Sequence, residues 1–317
     1  MNYNKKITTT AFFIIAFIAS SFSCKTVGRT YMNNLESSYP TVRTFFEVTP
    51  PAVYIKMKDI QNLSIPGPAG DIQIRLYIPE NTKKDSPVLF YIHGGGFVAG
   101  NINHVDRYVR LLAQETKMPA ISVDYRLAPE NPWPAALEDC IATYLWAEEN
   151  APRIFGGKNR ELIVIGESAG ANLATSITHW RREAGLTQPL AQILYSPYVG
   201  NPESENGVLW PSRQSNAKVS VITPQSIDFF NNAYTGNQKT LYNEPYIYPV
   251  LHKSFSNLPP AFITICEYDT LRDEGTAYAA LLKRDGVTVK KMYLLGKDHA
   301  WIGPPVIKKT AEFIEKL

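Results

Sequence analysis

A chain of 317 residues with 44% hydrophobic content can bury a large core as one domain with a modest lid, and it shows no repeats or low-complexity segments. The formal charge of +3 includes Lys5 and Lys6. Removing both with the leader would leave about +1, too little to suggest a nucleic-acid partner.

Lys5 and Lys6 precede the apolar run 11–22, which ends in Ser21-Phe22-Ser23-Cys24. That order predicts a signal peptide over 1–23, because about twelve apolar residues are too few to span a bilayer. A cysteine after small residues also fits a bacterial lipoprotein leader. Cys24 is then the lipidated N-terminus, and the protein is exported to the cell envelope with a membrane as partner. The alternative is ordinary cleavage near Cys24 and a soluble secreted form. Cys140 and Cys266 fall in an apolar helix and at a strand end, where free thiols pack as small hydrophobes, so Cys24 is the odd cysteine in need of a role. Residues 24–38 are polar and read as a tether, leaving 39–317 as the folded domain.

Segments 54–60 and 72–77 read as an antiparallel hairpin joined by the turn at 66–70. After the apolar strand 88–92 comes His93-Gly94-Gly95-Gly96-Phe97. Successive glycines expose backbone amides, and fixed amide donors stabilise the negative charge that develops on a carbonyl oxygen during acyl transfer. Gly94, Gly95 and Gly96 are the candidates, with Gly95 and Gly96 favoured. A phosphate-binding loop is the bland reading, but the run lacks the Lys-Ser/Thr ending of a P-loop and the dinucleotide fingerprint. Helices are expected at 105–116, 133–149, 169–184, 272–285 and 305–316, alternating with strands at 120–124, 162–165, 190–195, 261–266 and 287–295, as a parallel sheet demands.

Directly after strand 162–165 stands Gly166-Glu167-Ser168-Ala169-Gly170. This reads as a nucleophilic serine on a strand-to-helix elbow, whose glycines leave room for the neighbouring strand and helix. Ala169 opens a helix, so its N–H lacks an intrahelical acceptor and joins the candidate oxyanion donors. Glu167 reads as a structural partner of the turn, since side chains adjacent to the elbow residue diverge. Residues 200–256 interrupt the strand–helix rhythm and, with 39–52, are expected to form a small helical lid rich in aromatics. His93 reads as a structural group of the glycine loop. His104, His179 and His252 lack the close spacing of a zinc site and read as packing groups, so no metal and no cofactor is expected.

These motifs, together with 65–71 (Ile-Pro-Gly-Pro-Ala-Gly-Asp), 124–130 (Asp-Tyr-Arg-Leu-Ala-Pro-Glu), 134–139, 258–261 and 268–275 (Tyr-Asp-Thr-Leu-Arg-Asp-Glu-Gly), occur in the order found in one family. From about residue 40 to its end, the chain resembles the hormone-sensitive-lipase-like branch of the α/β-hydrolases. The resemblance implies a mixed, mostly parallel eight-stranded sheet with helices on both faces, and a serine carboxylic-ester hydrolase acting on short-chain acyl or acetyl esters. It also implies the chain order Ser, Asp, His for the triad: Ser168, Asp269 and His299, with Asp273 the rival acid. Tyr125 and Arg126 become loop-fixing groups. The family's usual His-Gly-Phe is His299-Ala300-Trp301 here, a change expected to reshape the acyl pocket. Lactonase or amidase action on the same triad is the alternative, and a non-catalytic small-molecule binder a remoter one. The expected partner is a small ester; a homo-oligomer is left open.

Overall fold

The strands that alternate with helices along the chain assemble into one eight-stranded sheet of order β1-β2-β4-β3-β5-β6-β7-β8. The computed structural model describes residues 39–47, 52–157, 161–202 and 210–317. The leader, Cys24 and the tether lie outside the described residues, as do 48–51 and 203–209 of the expected lid.

β3 (Val88–Ile92), β4 (Ala120–Asp124), β5 (Leu162–Glu167), β6 (Ala191–Tyr195), β7 (Ala261–Cys266) and β8 (Val289–Leu294) run parallel, joined by helical crossovers. β2 (Gly70–Ile78) is antiparallel to both β1 (Asp59–Gly67) and β4. The central strands are buried on both faces, and the two-residue period of a strand divides their side chains. Phe90, Val164 and Ile263 join the core under α3 (Ala135–Phe155), α4 (Ala169–Glu183) and α7 (Arg272–Arg284). Tyr91, Ile165 and Phe262 join the opposite core under α2 (Ile102–Thr116) and α8 (Pro304–Ile314).

The first strand differs from expectation. It spans Asp59–Gly67 rather than 54–60, with Asp59 opposite Ile78 and Gly67 opposite Gly70. At the sheet edge Gln61 and Asn62 face solvent, so this strand needs little apolar character, whereas 54–57 runs beside α2, whose Arg110 and Gln114 bond the Ile55 and Lys56 carbonyls. The third helix also runs past its expected end at 149, with Pro152 inside it.

Between β6 and β7 the insertion folds as α5 (Pro211–Ser215), α6 (Pro224–Thr235) and two 3₁₀ turns, Lys239–Asn243 and Pro249–Leu251. Thr223 caps α6 by accepting the Ser226 N–H. A buried Arg213–Glu274 ion pair ties α5 to α7, and Glu274 also accepts the Val199 and Gly200 N–H groups. The first helix, α1 (Tyr39–Glu47), lies against the same region: Tyr39 stacks on Phe229 at 4.6 Å, and Arg43 bonds the Val98 and Ala128 carbonyls and Glu130. The insertion and α1 therefore meet above the glycine loop.

Candidate active site

β5 turns into α4 through Ser168, whose backbone sits at φ 53°, ψ −120°. A serine accepts that strained geometry only where its surroundings dictate it. They do so by close approach. A Cβ at Gly166 would strike the Gly170 carbonyl, and one at Gly170 would strike the Ile92 carbonyl. The Ser168 N–H donates to the Tyr195 carbonyl at 2.9 Å and its carbonyl accepts the Asn172 N–H, fixing the elbow between β6 and α4.

The glycine loop runs alongside. A Cβ at Gly94 would lie 2.9 Å from the Glu167 carbonyl, and the Gly94 N–H is turned toward Glu167 Oε1 at a long 3.5 Å. Gly95 and Gly96 have φ of 118° and 62°, which strongly favour glycine. No described residue accepts from the Gly95, Gly96 or Ala169 N–H groups. The structure thus sets Gly94 apart from the other three candidate donors. Phe230 of α6 covers the loop so closely that a Cβ at Gly96 would lie 2.5 Å from its ring.

Glu167 is buried and accepts from Tyr91 Oη at 2.8 Å, with His104 Nδ1 3.8 Å away. Tyr125 donates to the His93 carbonyl at 2.9 Å and stacks on the His93 ring, while Arg126 forks onto Asp139. Burial pushes the His93 imidazole down to about 3, so it stays neutral and structural at ordinary pH.

His299 Nδ1 lies 2.8 Å from Asp269 Oδ2, and Asp269 Oδ1 accepts the Leu271 N–H at 2.8 Å. Asp273 faces elsewhere, accepting the Ser212 N–H and the Arg272 guanidinium. The segments that carry the histidine and the serine are both tied to the end of β6. Ser168 bonds Tyr195, and the next residue, Ser196, accepts the Ala300 N–H through Oγ at 3.1 Å. Burial alone would lower the His299 pKa, but the Asp269 carboxylate, with smaller contributions from Asp298 and Glu167, leaves it raised.

Three supports escaped the sequence reading. Asp298 accepts from the His299 N–H, Ser220 and the Val221 N–H, Asn216 bonds the Asp269 carbonyl, and Ser196 holds Ala300. Each contact spans tens of residues or joins a backbone group, so only the neighbouring Asp298-His299 pair left any sequence signal. The Trp301 ring packs against Gly303 and under Lys297 Nζ, half-buried at the edge of the core beneath α2 and α8. His179 and His252, distant in sequence, stack at 3.6 Å.

A family model described as the alpha/beta hydrolase fold matches residues 89–303, a span that holds the elbow, the glycine loop and the Asp269–His299 pair. The chain belongs to the α/β-hydrolases. Within them it falls in the hormone-sensitive-lipase-like branch, and its relatives include the carboxylic ester hydrolase LipN of Mycobacterium tuberculosis, 34% identical over 276 residues, covering 85% of this chain and 71% of the relative. The arylesterase of Saccharolobus solfataricus is 33% identical, covering 74% of each chain. Among solved α/β-hydrolases, the hyperthermophilic esterase of the archaeon Pyrobaculum calidifontis superposes with a TM-score of 0.80 at 31% identity, covering 92% of this chain and 97% of that one.

Proposed function

We propose that this α/β-hydrolase is a serine carboxylic-ester hydrolase in which Ser168 is the nucleophile, His299 the general base and Asp269 the orienting acid. The observation that carries this reading is the 2.8 Å contact between His299 Nδ1 and the buried Asp269 carboxylate. With Nδ1–H donated to Asp269, Nε2 keeps the lone pair that accepts a proton. Ser168 Oγ forms a bond to the ester carbonyl carbon as its proton passes to His299 Nε2, and the carbonyl π electrons move to oxygen. The Gly95, Gly96 and Ala169 N–H groups hold that oxyanion, each such donor being worth roughly 10²–10³ in rate. Collapse breaks the bond to the alcohol, which leaves with the proton from His299. Water then repeats the sequence on the acyl-enzyme and releases the acid and Ser168.

The acid limb of the pH profile follows from His299. Its raised pKa keeps it protonated above the usual 6.5, and a protonated imidazole cannot act as base. The kcat/KM therefore falls as pH drops through a midpoint above 6.5. Rate measurements from pH 5 to 9 check this; a midpoint well below 6.5 contradicts the Asp269–His299 coupling.

Short acyl chains are the proposed substrates. The lid segments are brief, and Phe230 closes over the glycine loop, which supports a confined site rather than an open lipid platform. Across p-nitrophenyl esters from acetyl to palmitoyl, turnover is expected to peak at roughly two to eight acyl carbons, within the size of an enclosed ligand pocket. A rate rising steadily to palmitoyl, with activation at an oil interface, contradicts it.

The leader supports export, with Cys24 as a lipidated anchor. No helix among the described residues is long and apolar enough to cross a membrane. One acyl chain binds membranes only marginally, whereas several hold firmly. Expressed in a bacterium, the full chain is expected in the membrane fraction and Cys24→Ser in the soluble one. An unblocked, wholly soluble wild type contradicts lipidation.

A further inference from the structure

The geometry points to a divalent transition-metal site formed by His179, Glu183 and His252, with zinc the best match to its donors. His179 and Glu183 lie one helical turn apart in α4, and His252 follows the 3₁₀ turn Pro249–Leu251 at the end of the insertion. One ligand atom from each side chain lies within 4.8 Å of the other two. Two imidazoles and a carboxylate are a donor set that zinc takes readily, leaving a fourth position for water.

Packing alone does not account for these side chains. His179 is fully buried and His252 nearly so, yet His179 Nδ1 and His252 Nε2 are buried with no hydrogen-bond partner among the described residues. Their surroundings are arranged as those of metal ligands are. Tyr278 Oη lies 3.3 Å from His179 Nε2, which leaves Nδ1 as the open nitrogen. Tyr246 Oη donates to Glu183 Oε2 at 2.5 Å, while Oε1 faces His252 Nδ1 at 3.3 Å. Such outer contacts fix a ligand's orientation.

The metal-free arrangement has to adjust. The two rings are stacked at 3.6 Å and 5°, and a ring nitrogen binds a metal in its own plane, so one ring must turn as the donors close by about 1 Å to reach Zn–N distances near 2.0–2.1 Å. His252, outside any helix, is the side chain free to do so. Arg182 bonds Glu183 Oε1 at 2.9 Å and competes for it, which makes the affinity weaker than that of a closed structural site. Bound metal would join the end of α4, the helix that starts at the nucleophile elbow, to the base of the insertion.

The full-length protein, dialysed against a chelator, is titrated with ZnCl₂ by calorimetry and with CoCl₂ by absorption. One zinc per chain is expected, with the ligand-field bands of four-coordinate cobalt. Glu183→Gln, at a half-exposed position that tolerates change, and His252→Gln each weaken zinc by roughly 10- to 100-fold or more and abolish the cobalt bands, while metal-free hydrolysis of p-nitrophenyl acetate is unchanged. His299→Gln binds zinc as the wild type does. Absence of stoichiometric binding, equal binding by the Glu183 and His252 variants, or loss of binding in His299→Gln overturns the site.

Discussion

Ser168→Ala lowers kcat for p-nitrophenyl acetate by roughly 10⁶-fold, because removing the nucleophile closes the covalent route and leaves only oxyanion and binding effects. The fold should survive. The contacts that hold the elbow are the backbone bonds of residue 168 to Tyr195 and Asn172, and alanine keeps them. Alanine also meets the same φ of 53° that serine does, so the substitution adds no backbone strain. Circular dichroism and thermal unfolding check the fold, and steady-state kinetics check the rate. Retention of a tenth of wild-type hydrolysis contradicts the assignment of the nucleophile.

Asp269→Asn lowers kcat by roughly 10⁴-fold, since an amide in place of the carboxylate offers His299 Nδ1 a donor and turns the imidazole to the wrong tautomer. The wild-type contact at stake is 2.8 Å long and buried. Losing the charge also removes the largest influence raising the His299 pKa, so burial prevails and the acid limb moves to lower pH. Asp273→Asn has a much smaller effect, because its carboxylate bonds Ser212 and Arg272 rather than the histidine. Parallel kinetics on the two variants decide the matter; the reverse ranking places the acid at Asp273.

The parts of the fold most legible in the sequence are those where backbone sterics leave one solution. Gly166 and Gly170 mark the elbow because neighbouring carbonyls occupy the space of a side chain. Strands such as Val88–Ile92 were legible from their unbroken apolar character, which burial on both faces of a parallel sheet requires. The edge strand was not: with Gln61 and Asn62 exposed, β1 is fixed by its register against β2 rather than by an apolar face.

Side-chain partnerships across the sheet were the least legible. Glu167 reads as a structural partner of the turn, but its links to Tyr91 and the Gly94 N–H depend on β3 and β5 being neighbours. Phe230 is one aromatic among several in the insertion, and only the path of α6 brings it onto Gly96. His179 and His252 illustrate the same point, since spacing along the chain says nothing about a contact made by the return of the insertion to α4. The proposed Ser168, Asp269 and His299 were legible because the family's chain order singles them out; the network of Ser196, Asn216 and Asp298 around them has no comparable sequence pattern.

The most direct test of the proposed mechanism is covalent labelling with a p-nitrophenyl phosphate triester, an acyl-ester mimic that phosphorylates an activated serine and releases p-nitrophenol. Intact-mass and peptide mapping are read beside residual ester hydrolysis. One phosphoryl group per chain on Ser168, with activity falling in proportion to the label, is the predicted result. Full inactivation with the label on another residue, or complete labelling of Ser168 with hydrolysis undiminished, contradicts it.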